Sequence, residues 1–440
     1  MENRTNKYKQ YMFFIIYGII CLPLLQFWIP FKYEDPLKGA VESVQKPNFE
    51  RKNWWSGNFQ EEYDKWFNQK FGFRNTAVRL HNQIGFSFFN NAKANGVIIG
   101  KENYLFEYNY IKAVTGKDFI GESEIIKRTA ELKQIQELIE SEGKSFVVTF
   151  AAGKGSFFSE FIPDSCGSIA PVKTNYKFYS KQFIKEGINF IDFNKWFIAQ
   201  KYKSPYPLYS KTGIHWSMYG SLLVADSIIK YIENSKKIDM PSIVKEGIIV
   251  SDSMQGSDND IGEGMNLLFP FNSQKMGYPN YHFEPIQGKV QPKLLVIADS
   301  YFWSIFDQLR TPSCFSEVTF RFYNKEIRDS KGNFTVSNGL EDWKEEIAKN
   351  DIVLLMVTDA NLKLFPWGFS EQLTTSYNET EEQKFRRRGI YIYENKIKES
   401  SEWLEMVKQK ARDRSIPLDS MIRADAIYML DIDIAKGQYK

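Results

Sequence analysis

The chain is predicted to be an α/β protein: a mostly parallel sheet flanked by helices on both faces. Three observations carry this. Phe146–Phe150, Leu294–Ala298 and Ile352–Val357 are short apolar runs without polar alternation, the pattern of strands buried on both faces. Segments with helical spacing alternate with them, at Glu122–Glu142, Asn175–Glu186 and Ser217–Ile232. The apolar runs stop abruptly at Ala151-Ala-Gly-Lys-Gly155, Asp299-Ser300 and Thr358-Asp359. These are the carboxyl ends of strands, where open α/β sheets bind ligands.

The remaining elements follow in chain order. Arg4, Lys7 and Lys9 precede an uncharged run from Tyr11 to Phe31. About 20 such residues cross a bilayer, and the basic flank stays cytoplasmic by the positive-inside bias. No small-residue cleavage site follows, so the run reads as an uncleaved signal-anchor, with the globular part outside the cytoplasm. Residues 32–52, with Pro36 and Pro47, read as a tether. Asn58–Phe89 is helical, and Gly96–Gly100 with Tyr104–Phe106 flank a polar turn as a hairpin. Strands are expected at Ile188–Phe193 and Val318–Phe322, with a short helix through Trp196.

Asp252–Asn266, with Asp258, Asp260 and Glu263, reads as a surface loop near the cleft. Its acids lack the fixed spacing of an EF-hand, and no metal or cofactor is called for. The tail from Glu381 to Ala435 is helical and charged, with Trp403, Leu404 and Val407 as its apolar stripe; basic Lys384–Arg388 reads as a solvated face. The organisation expected is thus 1–10 cytoplasmic, 11–31 transmembrane, 32–115 tether with helix and hairpin, 116–372 catalytic domain and 373–440 helical segment.

The 57 basic residues nearly balance the 54 acidic ones, which gives no electrostatic footprint for nucleic acid. Aromatics make up 16% of the chain, enough for a carbohydrate-binding surface once the core is filled. Cys21 lies in the apolar run; Cys166 and Cys314 either pair or remain buried thiols.

Chemistry concentrates at two places. Ser300 stands at a strand end before a helix, with backbone N–H groups in reach of a developing oxyanion, and is the candidate nucleophile. The bland alternative is that Asp299 and Ser300 simply cap that helix. His215, one of only three histidines, sits in Lys211-Thr-Gly-Ile-His-Trp-Ser-Met-Tyr-Gly220 and is the candidate general base. The turn Gly153-Lys154-Gly155 offers further N–H groups, but lacks the Walker pattern.

Five blocks in order resemble the AlgJ/AlgX-like family of SGNH-hydrolase-like polysaccharide O-acetyltransferases: Phe71-Gly-Phe-Arg74, Val97–Phe106, Phe150-Ala-Ala-Gly-Lys154 through Phe161-Ile-Pro163, Thr212-Gly-Ile-His-Trp216 and Ala298-Asp-Ser-Tyr301. The resemblance implies an SGNH fold outside the cytoplasmic membrane. It implies transfer of acetyl groups to polysaccharide hydroxyls, often beside a membrane-bound O-acyltransferase that supplies the acyl donor. It assigns Ser300 and His215 to catalysis, Asp299 to the nucleophile turn, and Tyr301, Trp216 and the 153–155 turn to the oxyanion and substrate lining.

One position departs from the pattern. The family's acid stands two residues before the histidine, where this chain has Gly213. Three readings stay open: a distant carboxylate replaces it, with Asp359 the candidate; Ser300 and His215 act as a dyad; or the protein binds glycans without turnover. An esterase or glycan deacetylase with the same residues is a further alternative.

Overall fold

The structure is a computed structural model that describes residues 2–29, 32–39, 44–168, 172–271, 274–309 and 314–438, with side chains from residue 7. Pro30 and Phe31 of the apolar run, residues 40–43 of the tether and the last two residues lie outside this set.

Helices α1 (Glu2–Trp28), α2 (Asn58–Lys70), α3 (Arg74–Phe89) and α4 (Glu122–Ser141) lead into β1 (Ser145–Ala151). Then come α5 (Asn175–Glu186), β2 (Phe190–Asp192), α6 (Met218–Lys236), β3 (Lys293–Ala298), α7 (Phe302–Leu309) and β4 (Glu317–Phe322). β5 (Glu326–Asp329), β6 (Phe334–Val336), β7 (Ile352–Thr358) and α8 (Phe369–Asn378) complete the α/β part. Among the described residues the main sheet has seven strands in the order β6-β5-β4-β3-β7-β1-β2. The five strands from β4 to β2 are parallel; β5 and β6 add an antiparallel edge.

The continuous apolar runs are explained by a two-sided core. On β1, Val147 and Ala151 face one apolar cluster, and Phe146, Val148 and Phe150 face the other. β3 divides likewise into Leu294, Val296 and Ala298 against Leu295 and Ile297, and β7 into Leu354 and Met356 against Val353, Leu355 and Val357. Side chains alternate faces with period two, so a strand covered by helices on both sides has no polar positions to show. α6 and α7 cover the first face; α4, α5 and α8 cover the second. The strands run in register, Met356 beside Ala298 and Thr358 beside Ala151, so their carboxyl ends form one rim.

Three expectations needed adjustment. The strand expected over Ile188–Phe193 is only Phe190–Asp192, because the Asp192 carboxylate caps the next helix by accepting from Lys195 N–H at 2.9 Å. An antiparallel pair, Ile243–Ser251 with Met276–Phe283, lies outside the main sheet and was not anticipated. Residues 252–266 are not a plain surface loop: they form helical turns at Gly256–Asn259 and Asp260–Gly264, with Asp258 fully buried.

Within α1, Lys7–Trp28 is long and apolar enough to cross a membrane. The tether is pinned to α3, where Glu34 accepts from Thr76 N–H at 2.9 Å and Arg79 donates to the carbonyls of Asp35 and Pro36. At the other end, α9 (Glu381–Glu399), α10 (Ser401–Asp413) and α11 (Leu418–Ala435) pack around their own apolar cluster, including Ile397, Val407, Met421 and Leu430. The basic run 384–388 is occupied by ion pairs: Lys384 with Asp342, Arg386 with Asp431 and Arg387 with Glu379. All three cysteines are free thiols.

Candidate active site

Ser300 stands two residues past the end of β3, in the turn into α7. His215 comes from the segment before α6, tied into the fold by a bridge between Tyr209 and Trp216. The two meet at the sheet rim, with His215 Nε2 2.9 Å from Ser300 Oγ. On the opposite edge of the ring, Nδ1 lies 2.6 Å from Asp260 Oδ2. A carboxylate can only accept, so Nδ1 carries the proton and Nε2 is left to accept from the serine hydroxyl. Asp260 is itself held by N–H donors, Ile214 at 2.8 Å and its neighbour Ile261 at 2.7 Å. A serine–imidazole–carboxylate line of this geometry can activate a hydroxyl for attack on a carbonyl.

The acid is therefore Asp260 in position, 45 residues after the histidine. Asp359, the sequence candidate, is elsewhere: it is buried beneath the rim, where its carboxylate accepts from the Ser156 hydroxyl. Burial raises the Asp359 pKa to about 7. Gly213 explains why the acid arrives from a distance. A Cβ there would collide with the Ser257 carbonyl and stand 2.9 Å from Asp258 C. The bare backbone lets the 256–260 segment lie directly on the histidine loop, in the space a side chain would take. That contact is locked by Gly262 N–H donating to Thr212 O at 3.0 Å, by the Ser210 hydroxyl on Asp258 O and by Tyr278 on the Asp258 carboxylate at 2.9 Å.

Asp299 occupies the turn position expected of it. Its Oδ2 accepts from Thr358 N–H (2.8 Å), the Thr358 hydroxyl (2.7 Å) and Asn361 Nδ2 (2.9 Å), and its Oδ1 accepts from Tyr301 N–H (3.1 Å). One buried carboxylate thus ties the nucleophile turn to the end of β7.

The residues expected to line the oxyanion and substrate are mostly struts. The Tyr301 N–H is committed to Asp299, and its buried hydroxyl donates to Ile214 O at 2.5 Å under the His215 ring. Trp216 is fully buried, with its indole N–H on Ser304 Oγ at 2.9 Å. Gly153 abuts the Asp359 carboxylate, and a Cβ on Gly155 would stand 2.6 Å from Tyr110 O, so this turn is packed rather than open. Lys154 is fully buried and donates to Lys211 O at 2.8 Å and Gly213 O at 2.5 Å, which clamps the histidine loop from below. Burial brings its pKa down to about 7.

Two residues that the sequence did not single out stand beside the line. Tyr323, just past β4 in the left-handed region (φ 49°), accepts from Asn361 Nδ2 at 3.5 Å beside the nucleophile turn. Burial, aided by the Asp299 charge, raises its pKa to about 12, so it remains a donor. Glu107, at the end of the hairpin, lies close enough to His215 and Asp260 to feel both charges; burial raises its pKa. Their only sequence signal is Asn324, an asparagine suited to a turn just past β4.

Comparison with known proteins now bears on this arrangement. Residues 97–245 match the family model described as "SGNH hydrolase-like domain, acetyltransferase AlgX". That stretch, about a third of the chain, is similar to an AlgX-type SGNH hydrolase-like domain. The matched stretch includes His215, whereas Asp260 and Ser300 lie beyond it. Among solved structures, the O-acetyltransferase domain of Pseudomonas putida AlgJ aligns with TM-score 0.41 and 15% identity, over 64% of this chain and 99% of that one. Bacillus cereus PatB1 gives 0.36 and 13%, over 60% and 96%. Pseudomonas aeruginosa AlgX gives 0.39 and 14%, over 61% and 66%. No curated protein sequence matches.

Two outcomes test this site. Gly213→Ala should displace the 257–260 segment and lower turnover about 10²-fold without unfolding the protein; an unchanged rate with an unchanged circular-dichroism melt would contradict the packing account. Asp359 has its pKa raised in the fold, so its contribution is fully present below about pH 4 and lost as pH rises through about 7. Asp359→Asn should therefore raise the melting temperature by several degrees at pH 8 but leave it nearly unchanged at pH 4.5.

Proposed function

We propose that the protein is an extracytoplasmic O-acetyltransferase that carries an acetyl group through Ser300 to hydroxyls of a cell-surface or secreted polysaccharide. The single observation that carries this reading is the unbroken line Asp260–His215–Ser300 at a strand-end rim. The AlgX-type family match supplies the reaction class, and the apolar N-terminal helix supports a membrane-tethered site.

In the first half-reaction, His215 Nε2 takes the Ser300 proton as Oγ attacks the acetyl carbonyl of the donor. The Ser300 N–H and the Tyr323 hydroxyl face the developing oxyanion. Asp260 stabilises the imidazolium formed. Collapse of the tetrahedral intermediate breaks the donor's acyl bond, and His215 returns the proton to the leaving group. The second half-reaction repeats these steps with a sugar hydroxyl as nucleophile, which releases the acetylated sugar and restores Ser300. A donor handed over by a membrane-bound O-acyltransferase suits the tethered location. The non-catalytic alternative drew its force from the empty acid position at Gly213, and Asp260 at the imidazole removes that motive.

The full chain should convert an acetyl ester and a soluble oligosaccharide to acetylated oligosaccharide, detected by mass spectrometry. Acetate as the sole product at every acceptor concentration would mark an esterase instead. Ser300→Ala and His215→Ala should each cost about 10³-fold or more, and Asp260→Asn about 10²–10⁴-fold. Tyr323→Phe should cost about 10–10³-fold in kcat with little change in KM; an unaffected kcat would remove Tyr323 from the oxyanion site.

A further inference from the structure

The N-terminal quarter of the chain holds a feature that the acyl-transfer site does not use. The elbow between α2 and α3 is packed onto α1 below its outer end. A Cβ on Gly72 would collide with Pro23 O and stand 2.7 Å from Gln26 Cβ. The Phe27 ring lies 5.4 Å from Phe67 and 6.1 Å from Trp66. If the bilayer begins after Lys9, about 20 residues at about 1.5 Å each bring its outer boundary near residue 30. Pro23 is then about 10 Å inside that boundary, so an element that touches it reaches below the headgroups.

From this elbow a continuous ladder of rings runs back along α2 and through the short helix Arg51–Ser56 to Phe49. Trp66 meets Tyr63 (5.3 Å), Tyr63 meets Phe59 (5.7 Å), Phe59 meets Trp54 (5.8 Å) and Trp54 meets Phe49 (5.7 Å). Its far end is uncovered: Phe49 is 62% exposed, with Trp54 and Tyr63 also open, and the neighbouring Trp55 is 85% exposed. Aromatic rings of this kind, apolar in body and polar at the tip, concentrate where hydrocarbon meets water. The charges around them are mixed. Lys46 lies over the Trp66 ring at 5.2 Å, and Arg51, Lys52 and Lys65 are balanced by Glu50, Glu61, Glu62 and Asp64. Attraction to anionic lipid is therefore not the driving force.

We infer that Phe49, Trp54, Trp55 and Tyr63 form a second foot that seats in the bilayer interface beside α1, so that the catalytic domain is held at a fixed height above the membrane. This rests on reading α1 as the anchor. Hydrogen bonds link the foot to the segment that carries Asp260. α3 continues from the elbow, and Asn82 Nδ2 on α3 donates to the carbonyls of Met265 (2.9 Å) and Asn266 (3.3 Å), immediately after the helix that carries Asp260. The tether joins at the same point, where Lys38 N–H donates to the Asn266 side chain at 2.8 Å.

The test uses the full chain and its Trp54→Phe/Trp55→Phe variant, each reconstituted into uncharged phosphatidylcholine vesicles with bromine on the upper acyl carbons. Tryptophan emission is quenched from the lipid side by bromine and from the water side by acrylamide. Two of the ten tryptophans are removed, and most of the emission they carry should belong to the bromine-quenched component, with the acrylamide-accessible component unchanged. If the lost emission is instead acrylamide-accessible and insensitive to bromine, the rings face water and the inference is overturned. Should neither protein float with the vesicles, the anchor reading falls, and the foot with it.

Discussion

The candidate active site rests on a backbone contact rather than on a side chain. Residues 257–258 lie against Gly213 closer than any Cβ would permit, and that approach carries Asp260 to the imidazole. The arrangement is over-determined. Asp260 accepts from Ile214 N–H beside the histidine, Gly262 returns a hydrogen bond to Thr212, and the buried Asp258 anchors the same turn through Tyr278. An acid held by several donors resists rotation, which is what a residue that must keep one imidazole tautomer requires. A glycine where a carboxylate would be expected is thus the feature that admits the carboxylate from elsewhere.

The rim beneath this line is a second network, built from groups that the chemistry does not consume. Asp299 joins the ends of β3 and β7, Lys154 clamps the histidine loop through two carbonyls, and Asp359 fills the space left by Gly153. Burial pushes Lys154 and Asp359 towards neutrality in opposite directions, both to about 7. Neither ends in a strong buried ion pair. Each serves through hydrogen bonds whose loss would leave partners unsatisfied in a dry interior.

Much of this was legible in the sequence, and what was not has specific causes. The continuous apolar runs of β1, β3 and β7 announced strands covered on both faces, and Ser300 and His215 stood out as a strand-end serine and a rare histidine. Asp260 did not stand out. Its role depends on a contact between segments 45 residues apart, and an acid in a glycine-rich polar stretch has the pattern of a solvated loop. The 153–155 turn and Tyr301 misled in the opposite way. Small residues and free N–H groups after a strand resemble an oxyanion cradle, and only packing reveals that they are already occupied. The antiparallel edge strands are short, half-buried in β5 and exposed in β6, without the apolar run that marks the others.

The central claim is that Asp260, through His215, activates Ser300. The rate at which a sulfonyl fluoride labels Ser300, followed by intact mass and peptide mapping, tests it most directly. The account predicts single-site labelling of Ser300, slowed by about two orders of magnitude or more in Asp260→Asn and unchanged in Asp359→Asn. Equal labelling rates in wild type and Asp260→Asn, or a loss confined to Asp359→Asn, would contradict it.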